Sequence, residues 1–292
     1  MTHCNSTLPV SLIILAAGLG RRFGGEKQLA TIGETGKPLM YFSVMDAYQA
    51  GVRHLVLVIS RQISQAVSEQ FLTLLPRDLE VSMVLQRQDE LPVGCTAEPR
   101  KKPWGTGHAL WCARNVVPAG CVVINADDYY GSDAMGQLLE HFENSNDWAM
   151  HAYQLENTLS DHGAVNRGLC EVKDGLLVAV RECLSIKRVN GEIQGEVDNR
   201  LVRLDPGTPV SMNIWGFGPD IFSCLEKGLT AFFSGVPDKG PTEFYLPSLV
   251  MESISAGDKR VRFYQGRHNW HGITYREDLE SLAEVFQERV YE

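Results

Sequence analysis

An open α/β sheet with helices on both faces is the fold class this sequence predicts, on three observations. Short runs rich in Val, Ile and Leu alternate with longer amphipathic stretches, the first run ends in glycines, and 292 residues that are 44% hydrophobic suffice for a substantial core. In detail the expectation is a doubly wound, mostly parallel but mixed sheet, Rossmann-like and three-layered, in a single domain. Residues 1–9 form a short tail and residues 147–219 an extension of the sheet.

The first run, residues 10–17 (VSLIILAA), is short and nearly all apolar, which suits a strand buried on both faces. Pro38 at a first helical position and Gly51 at a C-terminal cap bound a helix over 38–51. A second buried strand at 53–60 completes a βαβ unit. The alternation continues with a helix at 64–75, a strand at 80–86, a polar connection at 87–103, a helix at 107–116, a strand at 121–126 and a helix at 133–144. Past Asp147 come short strand-like pieces at 148–155, 168–172, 176–180 and 209–217. Helices at 219–228 and 243–256 and a strand at 260–265 follow, and Thr274 with Glu277 at capping-box spacing predicts a last helix. No repeat, low-complexity tract or long linker interrupts the chain.

Composition narrows the function classes. A net charge of −9 is ill suited to wrapping nucleic acid, so any anionic ligand must be held by a local basic cluster. No run of about 18 apolar residues predicts a membrane span, and residues 1–9 lack the basic start and apolar stretch of a secretory signal. A cytoplasmic protein without membrane or nucleic-acid partners is expected. The seven cysteines are scattered and never spaced C-x-x-C, which fits reduced thiols better than disulfides or zinc.

The chemistry centres on residues 15–27 (LAAGLGRRFGGEK), where a buried strand reaches its carboxyl edge, the place where open α/β sheets bind ligands. Gly18 and Gly20 let the backbone approach an anion with its N–H groups, and Arg21 and Lys27 bring positive charge. A dinucleotide loop needs glycine at position 23, where Phe23 stands, and no acidic residue follows Ile59-Ser60. The Walker pattern fails because Gln28 follows Lys27. A tight turn with solvated basic residues is the plainer alternative.

The pattern L-A-A-G-x-G-x-R, followed shortly by Lys27, resembles the signature loop of the sugar-phosphate nucleotidyltransferases, also called nucleoside-diphosphate-sugar pyrophosphorylases. The loop is shared with the broader molybdenum-cofactor-type nucleotidyltransferases, and the resemblance runs over residues 10–279. It implies a glycosyltransferase-A-like fold and a loop, with Ala16, Ala17, Gly18 and Gly20, that wraps a nucleoside triphosphate while Arg21 and Lys27 neutralise phosphate charge. Lys27 is the stronger catalytic candidate, since a point cation can follow charge onto leaving pyrophosphate.

Residues 103–110 (PWGTGHAL) form a glycine-bearing turn entering a helix, with donors suited to a base or a phosphate. Gly105, Thr106 and Gly107 resemble the family's nucleotide-contacting stretch, Gln86 its base-reading glutamine, and His108 is expected to be a partly exposed helix residue. Asp127 and Asp128 end a strand, where adjacent carboxylates are costly without a cation or donors. Asp127 resembles the family's magnesium-binding aspartate, Mg²⁺ is the implied cofactor, and Asp128, ranked second, is placed with the substrate-binding residues. Gly163, Glu182, Lys187 and Asn213 resemble residues that meet the sugar phosphate, which makes the sheet extension the sugar side. Relatives carry a second metal-binding aspartate in W-x-D, whereas here Trp270-His271-Gly272 has glycine.

The resemblance thus implies transfer of a nucleoside monophosphate from a triphosphate to a sugar 1-phosphate, with release of pyrophosphate. A glycosyltransferase of similar architecture is weaker, because Asp127-Asp128 lacks D-x-D spacing. A nucleotide-sensing protein without catalysis is the rival from another class. The base, the sugar and any homo-oligomer are left open.

Overall fold

The computed structural model describes residues 9–18, 27–98, 100, 102–160, 163–235, 242–266, 269–273, 276–287, 289 and 291. Its strands are β1 (Ser11–Leu15), β2 (His54–Ile59), β3 (Glu80–Leu85), β4 (Cys121–Asn125), β5 (Asp128–Tyr129), β6 (Trp148–Gln154), β7 (Val165–Lys173), β8 (Leu176–Val189), β9 (Glu192–Val197), β10 (Arg200–Leu204), β11 (Pro209–Phe217), β12 (Val261–Gln265) and β13 (His271–Gly272). The helices are α1 (Leu39–Gln49), α2 (Ser64–Ala66), α3 (Thr106–Cys112), α4 (Ser132–Asn144), α5 (Ile221–Ser234), α6 (Leu246–Ser255) and α7 (Asp278–Phe286).

Among the described residues, eleven strands make one mixed sheet, while β5 and β13 pair separately. Strands β4, β1, β2 and β3 lie side by side and parallel, with Leu15 opposite both Val58 and Asn125. Alternation along β1 divides the core. Leu12 and Ile14 join the cluster covered by α1, α4 and α7, whereas Ile13 joins the one covered by α3, α5 and α6. Helices therefore cover both faces, as expected. The mostly parallel sheet does not hold beyond β4: β11 runs antiparallel to β4, β6 and β7, and β8, β9 and β10 form antiparallel hairpins.

Three elements differ locally from expectation. The helix expected at 64–75 breaks into α2, a π turn at Val67–Phe71 and a 3₁₀ turn at Leu72–Leu74; Val67 and Phe71 are buried, and Ser64 and Leu72 are not. The short strand expected at 176–180 continues to Val189 and leads into two unforeseen strands. Their turns carry Asn190-Gly191 and Asp198-Asn199, all at positive φ, the geometry that two-residue hairpins require. The last helix starts at Asp278 rather than 274, and Thr274 lies outside the described residues.

Candidate active site

Two strand ends create the site. Beyond β1 the buried Ala16 and Ala17 are tied in by Ala16 N–H donating to Val58 O at 2.7 Å, and the exposed Gly18 opens the glycine-rich loop. Beyond β4, Ala126 N–H donates to Leu15 O at 3.1 Å, so the two neighbouring chains stay together past the sheet. At that edge Lys27 Nζ meets Asp127 Oδ2 at 2.6 Å. The lysine side chain is 12% exposed and the carboxylate 36%, so the pair opens outward through its acidic partner. Gln28, which carried no expectation, donates from Nε2 to Gly18 O at 2.7 Å and draws the two ends of the loop together. Gly20 and Arg21 lie outside the described residues.

Asp128 turns inward. Its Oδ2 accepts from Asn125 Nδ2 at 2.8 Å, and the Tyr130 hydroxyl lies 3.1 Å away. Burial first, and the Asp127 charge second, raise its pKa to about 7. The carboxylate expected to touch substrate is thus enclosed by protein, because the β5–β13 pairing of Asp128 with Gly272 covers it. Glycine at 272 has a steric reason here. A Cβ at that position would strike the Trp270 ring and lie 2.8 Å from Asp128 Oδ1.

No group of three or more His, Cys, Asp or Glu side chains among the described residues could hold a metal alone. The donor set fits a magnesium ion shared between one outward carboxylate, Asp127, and substrate phosphates, since magnesium usually keeps few protein ligands.

Ala17 and Gln86 line a cleft of about 800 Å³ along the same edge, beside Ser60 and Arg61 and under residues 87–98. The sequence showed that stretch only as a polar connection. Gln86 Nε2 donates to Gly105 O at 3.0 Å and lies 3.2 Å from His108 Nδ1. His108 is fully buried, contrary to the expected partial exposure, because α3 turns this face onto the loop and Nε2 reaches Glu90 O at 2.7 Å. In the turn of Gly105, Thr106 and Gly107, expected to supply donors, two groups are engaged within the protein. Gly107 N–H is spent on Phe244 O at 3.0 Å, and Thr106 Oγ1 accepts from Leu246 N–H at 3.0 Å. A Cβ on Gly107 would lie 2.6 Å from the Phe244 ring, so this glycine serves close packing.

Asn213 sits at the bulge of β11 with φ +65, a conformation Asn tolerates better than most residues. Its Nδ2 donates to Asn125 Oδ1 at 2.8 Å and its Oδ1 accepts from Trp215 Nε1 at 2.9 Å. Asn213 thereby joins the network around Asp128. Gly163 bridges to Ser160, while Glu182 and Lys187 stand exposed on β8. Among the described residues no hydrogen bond or ion pair brings these three to the Lys27–Asp127 pair.

The C-terminal segment closes the site from behind. The buried Asp46 of α1 accepts from the Tyr129 hydroxyl at 2.5 Å and the Tyr291 hydroxyl at 2.8 Å, and Arg289 Nη1 stands 3.4 Å away. Tyr129 follows Asp128 in β5, so this latch fixes the strand beside the carboxylates.

A parallel strand edge that leads into a glycine-rich sequence thus stands beside a lysine–aspartate pair and a cleft of about 800 Å³, the setting in which open α/β sheets bind ligands. The chain belongs to the MobA-like NTP transferase domain family, whose profile matches residues 12–158. It is 28% identical over 146 residues to the UTP–glucose-1-phosphate uridylyltransferase of Bacillus subtilis, a match covering 45% of this chain and 49% of that protein. It is 26% identical over 178 residues to the bifunctional protein GlmU of Mycolicibacterium gilvum, covering 59% of this chain and 32% of that one. The match thus spans half or less of either curated relative. The fold is that of the inositol-1-phosphate CTP transferase from T. maritima, at TM-score 0.63 and 15% identity, with 97% of this chain and 99% of that one covered. Among the described residues no helix is long and apolar enough to cross a membrane, and the described cysteines are free thiols.

Proposed function

We propose that the chain transfers a nucleoside monophosphate from a nucleoside triphosphate to a sugar 1-phosphate and releases pyrophosphate. The observation that carries this reading is the Lys27–Asp127 pair, 2.6 Å apart, on the strand edge that also bears the Gln86 cleft. Two similar proteins, a UTP–glucose-1-phosphate uridylyltransferase and an inositol-1-phosphate CTP transferase, are named for a triphosphate donor and a phosphate acceptor.

An acceptor phosphate oxygen attacks the α-phosphorus in line, the new P–O bond forms, and the bond to the β-phosphate oxygen breaks with its electron pair leaving on pyrophosphate. The nucleophile is already anionic at neutral pH, so no side-chain base is required. Catalysis rests on positioning and charge neutralisation. Lys27 and Arg21 neutralise the triphosphate, and Ala16, Ala17, Gly18 and Gly20 line its path. Asp127 would hold magnesium, which when bound neutralises charge on the phosphates. Gln86 reads the base, supported by Gly105, Thr106 and Gly107. Asn213, Gly163, Glu182 and Lys187 form the acceptor side, with Asp128 holding Asn125 and Asn213 in place from within. One mixed sheet joins both sides, and we read the chain as one domain of Rossmann-like, glycosyltransferase-A-like architecture.

A second reading rests on Gly272. With the Trp270 ring where a second metal-binding aspartate would stand, the site could bind nucleotide without turning it over. Pyrophosphate release measured with four triphosphates and a panel of sugar 1-phosphates, with and without magnesium, separates the two. Magnesium-dependent release with any pair supports the transferase; triphosphate binding without release supports the sensor.

A further inference from the structure

We propose that His108 is a positioning residue that sets base specificity, by locking the Gln86 amide so that only its carbonyl oxygen faces the base. The inference rests on the nucleotide reading of the cleft and deepens it.

The lock follows from donor and acceptor identities. His108 Nε2 lies 2.7 Å from Glu90 O, and a carbonyl only accepts, so Nε2 carries a hydrogen. Burial lowers the pKa of His108 and keeps the ring neutral, which leaves Nδ1 as a bare acceptor. Gln86 Nε2 then faces two acceptors, His108 Nδ1 at 3.2 Å and Gly105 O at 3.0 Å. Turning the amide over would set its oxygen against both. Both N–H bonds are therefore spent inward, and Oε1 is what Gln86 can offer to the cleft it lines.

An acceptor at that place favours bases that present an imino N–H at the ring edge: uracil, thymine and guanine. Cytosine and adenine, similar in size, offer a ring-nitrogen lone pair at that position, so an acceptor faces an acceptor and a hydrogen bond is lost unless the base shifts to bring its exocyclic amino group onto Oε1.

The test is equilibrium binding of UTP against CTP, and of GTP against ATP, to the whole protein with magnesium. The wild type is expected to favour the keto base within each size-matched pair that binds, by about tenfold or more. His108→Leu removes one of the two acceptors that hold the amide, leaving Gly105 O alone, and should narrow the ratio to within about threefold. His108→Asn can place an oxygen near the former Nδ1 and should keep most of the preference. His108→Gln can keep the bond to Glu90 O but offers nothing at Nδ1, and should lose it, which decides the matter if the leucine variant does not fold. In turnover the variants should raise KM for the keto triphosphate more than they lower kcat. Equal or reversed binding by the wild type, or a folded leucine or glutamine variant with undiminished preference, overturns the proposal alone. Failure of the wild type to bind any triphosphate overturns the nucleotide reading and this proposal with it.

Discussion

Lys27 and Asp127, one hundred positions apart in the chain, share a 2.6 Å ion pair at the carboxyl edge of β1 and β4. Asp127 follows the end of β4 by two residues, whereas Lys27 opens the 3₁₀ turn Lys27–Leu29, which Gln28 ties back to Gly18 beyond β1. The lysine rests on the carboxylate; on the proposed reading, triphosphate brings the anionic groups that the lysine serves.

Replacing Lys27 tests that division of labour. Lys27→Ala should lower kcat by about 10²–10³ and change triphosphate affinity by less than about tenfold, because the lost interaction matters most as charge builds on pyrophosphate. Single-turnover rates beside nucleotide titrations check this. A loss confined to affinity contradicts it.

Gly272 should be intolerant of even a methyl group. Its Cβ would meet the Trp270 ring and approach Asp128 Oδ1 at 2.8 Å, so Gly272→Ala should cost about 1–3 kcal/mol by overpacking. Calorimetry should show a lowered Tm, and shaving the ring with Trp270→Ala in the same chain should shrink the further effect of the methyl group.

Acid should weaken the fold partly through His108. Burial sets its folded pKa below the ordinary 6.5, so the unfolded chain takes the proton first. The stability that the neutral ring contributes is present above pH 6.5 and is lost as pH falls toward the lowered value, at no more than about 1.4 kcal/mol per pH unit. His108→Asn should flatten the decline of stability below pH 6.5, measured by denaturant unfolding at several pH values. His271, also lowered by burial, keeps its own share in both proteins.

Asp46 should matter although it lies behind the site. Asp46→Ala leaves the buried Tyr129 hydroxyl without its acceptor and should cost about 1–3 kcal/mol. Asp46→Asn, which retains an oxygen, should cost less. Urea unfolding of both variants checks the order.

What could be read in advance was local. The apolar run before Gly18, the glycines, Lys27 and the strand-ending Asp127 lie within short windows whose pattern places them at one sheet edge, and the structure brings the last two together. What could not be read depends on distant partners. Asp46 finds Arg289 across 243 residues, Gln28 reaches back to Gly18, and the Trp270 ring settles over Gly272. His108 looked exposed because helical position alone does not reveal that residues 87–98 fold over it. The hairpins of the second half were a different omission. Asp174-Gly175 and Asn190-Gly191 are turn dipeptides visible in the sequence, and both residues of each adopt positive φ.

The most direct measurement is magnesium-dependent pyrophosphate release by Asp127→Asn beside the wild type, with the triphosphate and sugar 1-phosphate that the wild type uses best. The asparagine keeps the size of the side chain and removes the charge that the ion pair and the cation share. Release by the wild type and its loss in the variant, with the fold intact by circular dichroism, is the predicted result. Equal release from the two proteins would contradict the central role of the pair.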